Sequence, residues 1–257
     1  MKVALVQIPL TWENKQANIR HCEEQIRTLP NDVHLAVLPE MFTTGFSMQT
    51  ETFAETEAGP TLRWMRRTAR ERAIALAGSA IIEDDGRYFN RLFFVFPDGA
   101  YQTYDKRHLF SMGDEHNHYA AGAQRLIVDY NGWRICPMIC YDLRFPVWSR
   151  NCGYAYDLLL YVANWPAARI HAWNTLLQAR AIENQCYVAG VNCGGNDNTG
   201  VRYGARSQVV DFKGHVVSVA AECRNEALIA TLSREYLAAF RKKFPAGNDA
   251  DSYTLLG

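Results

Sequence analysis

The stretch RLIVDYNGWRICPMICYDLRFP, residues 125–146, contains a strong turn signal and an unusual strand end. Asn131-Gly132 separates two apolar runs and predicts a hairpin, because this dipeptide readily adopts the positive φ angles of a two-residue turn. The second run, WRICPMIC, ends on Cys140 and is followed at once by the polar sequence YDLR. We expect a helix to begin near Pro146. The stretch therefore predicts a hairpin whose second strand delivers a thiol to a strand-to-helix turn.

Short apolar segments alternate with helical segments along the rest of the chain. The run DLLLYVAN, residues 157–164, is apolar on both faces, as expected of a strand covered on both sides. Lys213-Gly214 marks a second hairpin. We predict strands over 2–8, 33–39, 74–82, 90–96, 100–106, 125–130, 133–140, 157–164, 186–192, 207–212, 215–220 and 226–232, and helices over 17–28, 61–73, 171–185 and 234–244. The pattern predicts an α/β fold with two mixed sheets packed together and helices outside.

Composition limits the classes of function that remain. The chain has 257 residues, 48% of them hydrophobic, and we find no linker or repeat that would divide it, so we expect a single domain over 1–257. Lys plus Arg and Asp plus Glu both number 27, which gives no attraction to nucleic acid or to an anionic membrane. No signal peptide and no membrane-spanning run is recognisable. The odd, scattered set of 7 cysteines indicates a reduced, cytoplasmic protein.

Three ionisable residues of different chemistry close three apolar strands. Glu40 ends VHLAVLPE, Lys106 ends AYQTYDK, and Cys140 ends WRICPMIC. Each taken singly is more often a core or loop residue. Together they could attack an amide, because a thiol needs a base to accept its proton and a cation can stabilise the resulting oxyanion. In α/β sheets such chemistry collects beyond the carboxyl ends of strands.

Other groups of residues could form a catalytic or metal-binding site instead. A Cys–His pair is conceivable, but nothing singles out one histidine among His108, His116, His118 and His171. The run DEHNH, residues 114–118, offers possible metal ligands, although so short a polar cluster is more often an exposed loop. Cys136 and Cys140 do not have the redox C-x-x-C spacing, and no phosphate-binding or dinucleotide-binding glycine motif is present. We interpret Gly194-Gly195 as a loop.

At this point the motifs resemble those of the carbon–nitrogen hydrolases of the nitrilase superfamily. LPEMF resembles the family's glutamate block, YDKRHLF its lysine block and ICYDLRFP its cysteine block, while LLLYVANWP and ARAIENQCYVAGVN resemble two further blocks. Three motifs in the right order, over nearly the whole chain, are highly specific. The resemblance implies a four-layer α-β-β-α sandwich and an enzyme that needs no cofactor.

The resemblance also implies a role for each matching residue. Glu40 would be the general base, Lys106 the cation beside the oxyanion, and Cys140 the nucleophile. Glu115 would be the family's second glutamate, and the backbone N–H of Tyr141 would be a further oxyanion donor. This places DEHNH at the rim of an active site and argues against a metal site there.

The branch of the family is indicated by the longer stretches EMFTTGFSM, YDKRHLFSMGDEHNHY, YDLRFPVWSRN and VANWPAAR. They resemble the bacterial omega-amidases, which implies a small 2-oxo dicarboxylic acid monoamide as substrate. Its carboxylate would need a cation, for which Arg144 and Arg169 are candidates, although structural ion pairing with residues such as Asp142 is equally open for each. Three aromatic residues could line the pocket or lie in the core: Phe42, Phe46 and Trp165.

Two other functions stay open on the sequence. The enzyme could be a nitrilase or could hydrolyse another small amide or carbamoyl compound. A non-catalytic interaction protein on the same scaffold is a third possibility, against which the complete Glu–Lys–Cys set argues. The resemblance of ARAIENQ to a helix used for dimerisation predicts at least a homodimer.

Overall fold

A computed structural model gives the fold and describes residues 1–221, 226–251 and 253–254. The strands are β1 Lys2–Gln7, β2 Leu35–Val37, β3 Ala75–Asp84, β4 Arg87–Val95, β5 Tyr101–Asp105, β6 Val128–Tyr130, β7 Trp133–Ile139, β8 Leu158–Ala163, β9 Tyr187–Asn192, β10 Gly194–Asn196, β11 Arg202–Gly204, β12 Gln208–Val210, β13 Val216–Val219 and β14 Glu226–Thr231. The α-helices are α1 Lys15–Thr28, α2 Thr50–Phe53, α3 Pro60–Arg72, α4 Glu115–His118, α5 Ile170–Asn184 and α6 Arg234–Lys243.

Most strands form two six-stranded sheets, and both sheets are mixed. The first has the order β14-β1-β2-β3-β4-β5, in which β1, β2 and β3 are parallel and the other pairings are antiparallel. The second has the order β13-β12-β9-β8-β7-β6, in which β7, β8 and β9 are parallel. The parallel strands need helical crossovers, whereas the Asn131-Gly132 hairpin adds an antiparallel edge. Hairpins and helical crossovers together explain why each sheet contains both parallel and antiparallel strand pairs.

The two sheets pack face to face between outer layers of helices. One apolar cluster joins the two sheets, and it includes Val3 and Leu35 of the first sheet and Ile135 of the second. The side chains that alternate with these along the strands, such as those of Ala4 and Ala36, point to the opposite face of the first sheet and pack against the helices α1 and α3. The helix α5 covers the outer face of the second sheet, where every residue of β8 is buried. The predicted α-β-β-α sandwich is confirmed.

Several local predictions need correction. No α-helix begins near Pro146; a 3-10 helix spans Cys140–Arg144, because the backbone turns sharply at Cys140 with a φ of 42°. Gly194-Gly195 is not a loop, since Gly194–Asn196 pairs with Arg202–Gly204 as a two-stranded ribbon. The strand predicted over 33–39 is regular only at Leu35–Val37. In the described part of the chain, no helix is long and apolar enough to cross a bilayer.

Candidate active site

The three predicted strand ends meet at one cavity. Its volume is about 930 Å³, and Glu40, Lys106 and Cys140 all contribute to its wall. Glu40 follows β2 by three residues, Lys106 follows β5 directly, and Cys140 follows β7 directly. β2 and β5 belong to the first sheet and β7 to the second, so packing of the sheets brings the three ends together. Sequence separation hides this convergence, which exists only in the tertiary structure.

Cys140 presents its thiol from a strained turn. Its φ of 42° lies in the left-handed region, which for a residue other than glycine costs about 1–3 kcal/mol and needs surrounding contacts to maintain it. Asp142, fully buried, accepts a hydrogen bond from the backbone N–H of Ile139 at 3.0 Å, which closes the turn around the cysteine. Cys140 as a whole residue is half-buried, and it forms part of the cavity wall.

Lys106 lies between two buried carboxylates. Its Nζ is 2.8 Å from Oε1 of Glu40, and 2.9 and 2.8 Å from the two oxygens of Glu115. The side chains of all three residues are at most 1% exposed. Glu115 begins the short helix α4, and its Oε2 also accepts the backbone N–H of Phe110 at 2.6 Å. The predicted second glutamate therefore lies behind the lysine and does not line the cavity.

Two asparagines complete the surroundings of Glu40, and sequence reasoning missed both. Asn90 Nδ2 donates to Oε1 of Glu40 at 2.8 Å and lies 3.3 Å from Oε1 of Glu115. The backbone N–H of Asn164 donates to Oε2 of Glu40 at 2.9 Å, and its side chain donates to the Glu40 carbonyl at 2.7 Å. Asn164 directly follows the buried strand β8, and an amide ending an apolar strand was the available signal.

The charges explain the protonation of the site. Burial raises the pKa of the Cys140 thiol well above its usual range, and the charge of Glu40 and its hydrogen bond to the thiol raise this pKa further, whereas Lys106 opposes the shift. Burial alone would lower the pKa of Lys106, but the charges of Glu115 and Glu40 outweigh it and raise this pKa. These shifts favour a protonated thiol at Cys140 and a charged ammonium group at Lys106, with the Glu40 side chain within hydrogen-bonding reach of the thiol.

The competing constellations are arranged differently. His108 is engaged elsewhere, with its Nδ1 2.8 Å from Oδ1 of Asp142 and its ring stacked on Phe145 at 3.8 Å. Within DEHNH, Glu115 binds Lys106, while Asp114 accepts hydrogen bonds from Asn117 and His118. Among the residues that the structure describes, no three His, Cys, Asp or Glu side chains are grouped as a metal site.

The two candidate arginines both line the cavity. The guanidinium of Arg144 lies over the ring of Trp165 at 5.0 Å, and that of Arg169 lies over Phe110 at 5.3 Å. Within residues 1–221, 226–251 and 253–254, neither forms an ion pair, and Asp142 bonds to other groups. Both guanidinium groups are therefore available to an anionic ligand.

Of the three aromatic residues considered as pocket walls, two line the cavity and one does not. Trp165 and Phe46 line the cavity, and the ring of Phe46 lies 5.1 Å from Lys106 Nζ. Phe42 does not line the cavity; its ring is fully buried against Trp64 of α3, so its interpretation as a pocket wall is corrected. Met41, with a φ of 42°, redirects the chain after Glu40 toward that outer layer. Tyr141 lines the cavity beside Cys140.

Comparison with known proteins agrees with this geometry. The family model described as carbon-nitrogen hydrolase matches residues 2–242. The chain is 47% identical to the omega-amidase YafV of Yersinia enterocolitica over 258 residues, covering 100% of this chain and 99% of that protein. It is 29% identical to the 2-oxoglutaramate amidase of Bacillus subtilis, covering 96% of each.

A solved structure is similar to this chain in both fold and sequence. The crystal structure of XC1258 from Xanthomonas campestris, a CN-hydrolase superfamily protein with an arsenic adduct in its active site, superposes with a TM-score of 0.96. The two chains are 44% identical, and the match covers 99% of this chain and 98% of the other. Fold, site and sequence thus agree that this chain belongs to the carbon–nitrogen hydrolase family.

Proposed function

We propose that this carbon–nitrogen hydrolase is an omega-amidase, which hydrolyses the terminal amide of a small 2-oxo dicarboxylic acid monoamide, such as 2-oxoglutaramate or 2-oxosuccinamate. The observation that carries this proposal is the pair Arg144 and Arg169, both facing the cavity that contains Cys140. The names of the two relatives, omega-amidase and 2-oxoglutaramate amidase, support the same substrate class. Membership of an enzyme family, together with the Glu40, Lys106 and Cys140 side chains at one cavity, argues against the non-catalytic alternative.

The reaction begins with attack by the thiol. Glu40 accepts the Cys140 proton while the sulfur attacks the amide carbon, so that a neutral thiol in the resting enzyme is sufficient. The carbonyl oxygen becomes an oxyanion, which Lys106 Nζ and the backbone N–H of Tyr141 stabilise. Glu40 then returns the proton to the amide nitrogen, the C–N bond breaks, and ammonia leaves. A thioester to Cys140 remains.

Hydrolysis of the thioester uses the same carboxylate. Glu40 accepts a proton from water, whose oxygen attacks the thioester carbon, and a second oxyanion forms at the same donors. Collapse of this intermediate releases the dicarboxylic acid, and the proton returns to Cys140 sulfur. Asn90 and the Asn164 backbone hold the two Glu40 oxygens in place through both steps. Such positioning is what makes general base catalysis effective.

A carboxylate on the substrate would explain why two arginines line the cavity. Moving a carboxylate from water into a half-enclosed cavity is costly unless a cation or several donors meet it. Arg144 and Arg169 supply planar guanidinium forks suited to a carboxylate, and the stacked aromatic rings restrict their motion. An uncharged amide or a nitrile has no negative charge to pair with these cations. Their presence therefore favours the 2-oxo acid over the nitrilase and general amidase alternatives.

The test is a substrate panel read by ammonia release. 2-Oxosuccinamate is compared with butanamide and a short nitrile, using wild-type enzyme, Arg144→Ala and Arg169→Ala. Losing a charged hydrogen bond costs about 1.5–3 kcal/mol, so at least one variant should lose about 10–10²-fold in kcat/KM for 2-oxosuccinamate, with a smaller loss for butanamide. Arg66→Ala is the matched control, because this arginine also stacks on an aromatic ring, that of Tyr101, outside the cavity wall.

Two results would count against the proposal. Equal losses on charged and uncharged substrates would show that the arginines are structural. A wild-type enzyme that prefers butanamide or the nitrile would replace the substrate assignment with one of the alternatives.

A further inference from the structure

We propose that Asp142 is a positioning residue, which fixes the segment carrying Lys106 against the turn carrying Cys140. The inference rests on the proposed catalytic function of these two residues and concerns how they are kept in register. Asp142 is fully buried and lies two residues after Cys140. It does not line the cavity, so it acts through its neighbours and not on the substrate.

The hydrogen bonds of Asp142 join two segments that are distant in sequence. Its Oδ2 accepts the hydroxyl of Tyr104 at 2.7 Å, and its Oδ1 accepts the backbone N–H of His108 at 3.0 Å. The His108 Nδ1 lies 2.8 Å from the same Oδ1. Tyr104 and His108 stand two residues before and two residues after Lys106. The carboxylate therefore holds the lysine segment on both sides of the catalytic cation.

The same carboxylate holds the cysteine turn. Its Oδ2 also accepts the backbone N–H of Ile139, the residue before the nucleophile. Cys140 has a backbone conformation that only surrounding contacts can maintain. Because β5 is in the first sheet and β7 is in the second, Asp142 cross-links the two sheets at the point where their catalytic residues meet.

A second side chain reinforces this cross-link. Trp148, which follows the cysteine turn, donates from Nε1 to the hydroxyl of Tyr104 at 3.0 Å. The Tyr104 hydroxyl thus accepts a hydrogen bond from Trp148 and donates one to Asp142, which fixes the direction of its hydrogen bond to the carboxylate. Each buried polar group in this network has a partner, which is the condition under which such networks impose one arrangement.

Removing the negative charge should misalign the two catalytic groups without removing either. Asp142→Asn replaces one acceptor oxygen by an NH₂ group that faces donors, so at least one backbone hydrogen bond, to Ile139 or to His108, is lost. A misplacement of about 1 Å can cost 10²-fold in rate. We expect kcat for 2-oxosuccinamate to fall by about 10–10²-fold. Arg144 lies in the same 3-10 helix as Asp142, so KM can also change, but by a smaller factor than kcat.

The matched control is Asp157→Asn. Asp157 is another buried, multiply bonded aspartate of the second sheet, paired with Arg134 and Arg241. It precedes β8 at the end away from Asn164, about 20 Å from the site by strand rise. Loss of its charge should lower the thermal stability but leave kcat within about twofold.

A second measurement does not depend on the substrate. Each protein is treated with iodoacetamide, and the rate of alkylation at Cys140 is read by peptide mass, with the exposed Cys152 as internal reference. Positioning by Asp142 predicts slower alkylation of Cys140 in Asp142→Asn, with unchanged alkylation of Cys152. If wild-type enzyme does not hydrolyse 2-oxosuccinamate, the proposed substrate is wrong, and the alkylation rates still decide the role of Asp142.

The proposal is overturned if Asp142→Asn folds and keeps both kcat and Cys140 alkylation within twofold of wild type. It is equally overturned if Asp157→Asn reduces both quantities as strongly, because the effect then follows general stability. Should Asp142→Asn fail to fold, Tyr104→Phe decides, since it removes a single donor to the carboxylate: slower Cys140 alkylation supports the proposal, and an unchanged rate refutes it.

Discussion

Replacing Lys106 by methionine should separate the two functions of this cation. The change keeps the apolar stem but removes the ammonium group that lies 2.8 Å from both Glu40 and Glu115. Loss of an oxyanion donor costs about 10²–10³ in kcat. Removing one partner of a buried ion pair costs about 3–5 kcal/mol, because a charge is left unpaired, and here two carboxylates are left facing each other. For a chain of this size we expect Tm to fall by about 6–20 °C.

A second substitution tests the electrostatic cause of this instability. In Lys106→Met/Glu115→Gln one of the two unpaired charges is gone, so the double variant should be more stable than Lys106→Met while remaining as inactive. Burial and mutual repulsion should raise the pKa of the carboxyl pair in Lys106→Met. Groups with a raised folded-state pKa stabilise the fold at low pH and lose this contribution as pH rises through that pKa. Lys106→Met should therefore be more stable in mildly acidic than in mildly alkaline solution.

The assays are ammonia release from 2-oxosuccinamate and thermal unfolding, with Glu115→Gln alone as control. Near-normal turnover by Lys106→Met would refute its role beside the oxyanion. A double variant less stable than Lys106→Met, or one whose stability has the same pH dependence, would refute the account of Lys106 as the counter-charge of two buried carboxylates.

Four further predictions concern the catalytic pair and the assembly. Cys140→Ala should fold and have no turnover, and an electrophilic amide should label Cys140 in wild type; labelling of Cys136 or Cys186 instead would contradict the assignment. Glu40→Gln should reduce kcat about 10²–10⁴-fold, whereas near-normal kcat would exclude it as the base. Because burial and Glu40 raise the pKa of the Cys140 thiol, its alkylation should accelerate into alkaline solution, and a plateau at neutral pH would indicate a preformed thiolate. Light scattering at micromolar concentration should give at least a dimer mass, and a monomer mass would count against the resemblance of ARAIENQ to a dimerisation helix.

The sequence was sufficient where a local pattern determines structure. The Asn131-Gly132 turn predicts the β6–β7 hairpin, and the apolar run before Cys140 predicts a buried strand, because both depend on residues adjacent in the chain. The strand ends at Glu40 and Lys106 followed from the same pattern. That these ends meet at one cavity was supplied by the resemblance to a family, since the residues lie in different sheets.

Side chains that act across long sequence separations were missed. Asn90 and Asn164 hold Glu40 from positions 50 and 124 residues away, and even an asparagine at a strand end, such as Asn164, does not show which distant carboxylate it contacts. Phe42 was misplaced because the left-handed turn at Met41 is invisible in the sequence. The prediction of a helix near Pro146 was wrong for a related reason. The Asp142 side chain accepts the backbone N–H of Ile139 and so stabilises a tight turn at Cys140.

The need for two glutamates follows from how charge moves during the proposed reaction. At rest Lys106 is paired with both Glu40 and Glu115, and the thiol is neutral. When Glu40 accepts the thiol proton it becomes neutral and loses its attraction for Lys106, at the moment when the lysine must stabilise the oxyanion. Burial and the charge of Glu40 raise the pKa of Glu115, whereas Lys106 and the backbone N–H of Phe110 lower it. Neutralising Glu40 therefore removes one cause that favours protonation of Glu115, and Glu115 remains the hydrogen-bonded partner of the lysine. In the proposed reaction, the contact with Glu115 therefore keeps Lys106 in place while Glu40 exchanges protons.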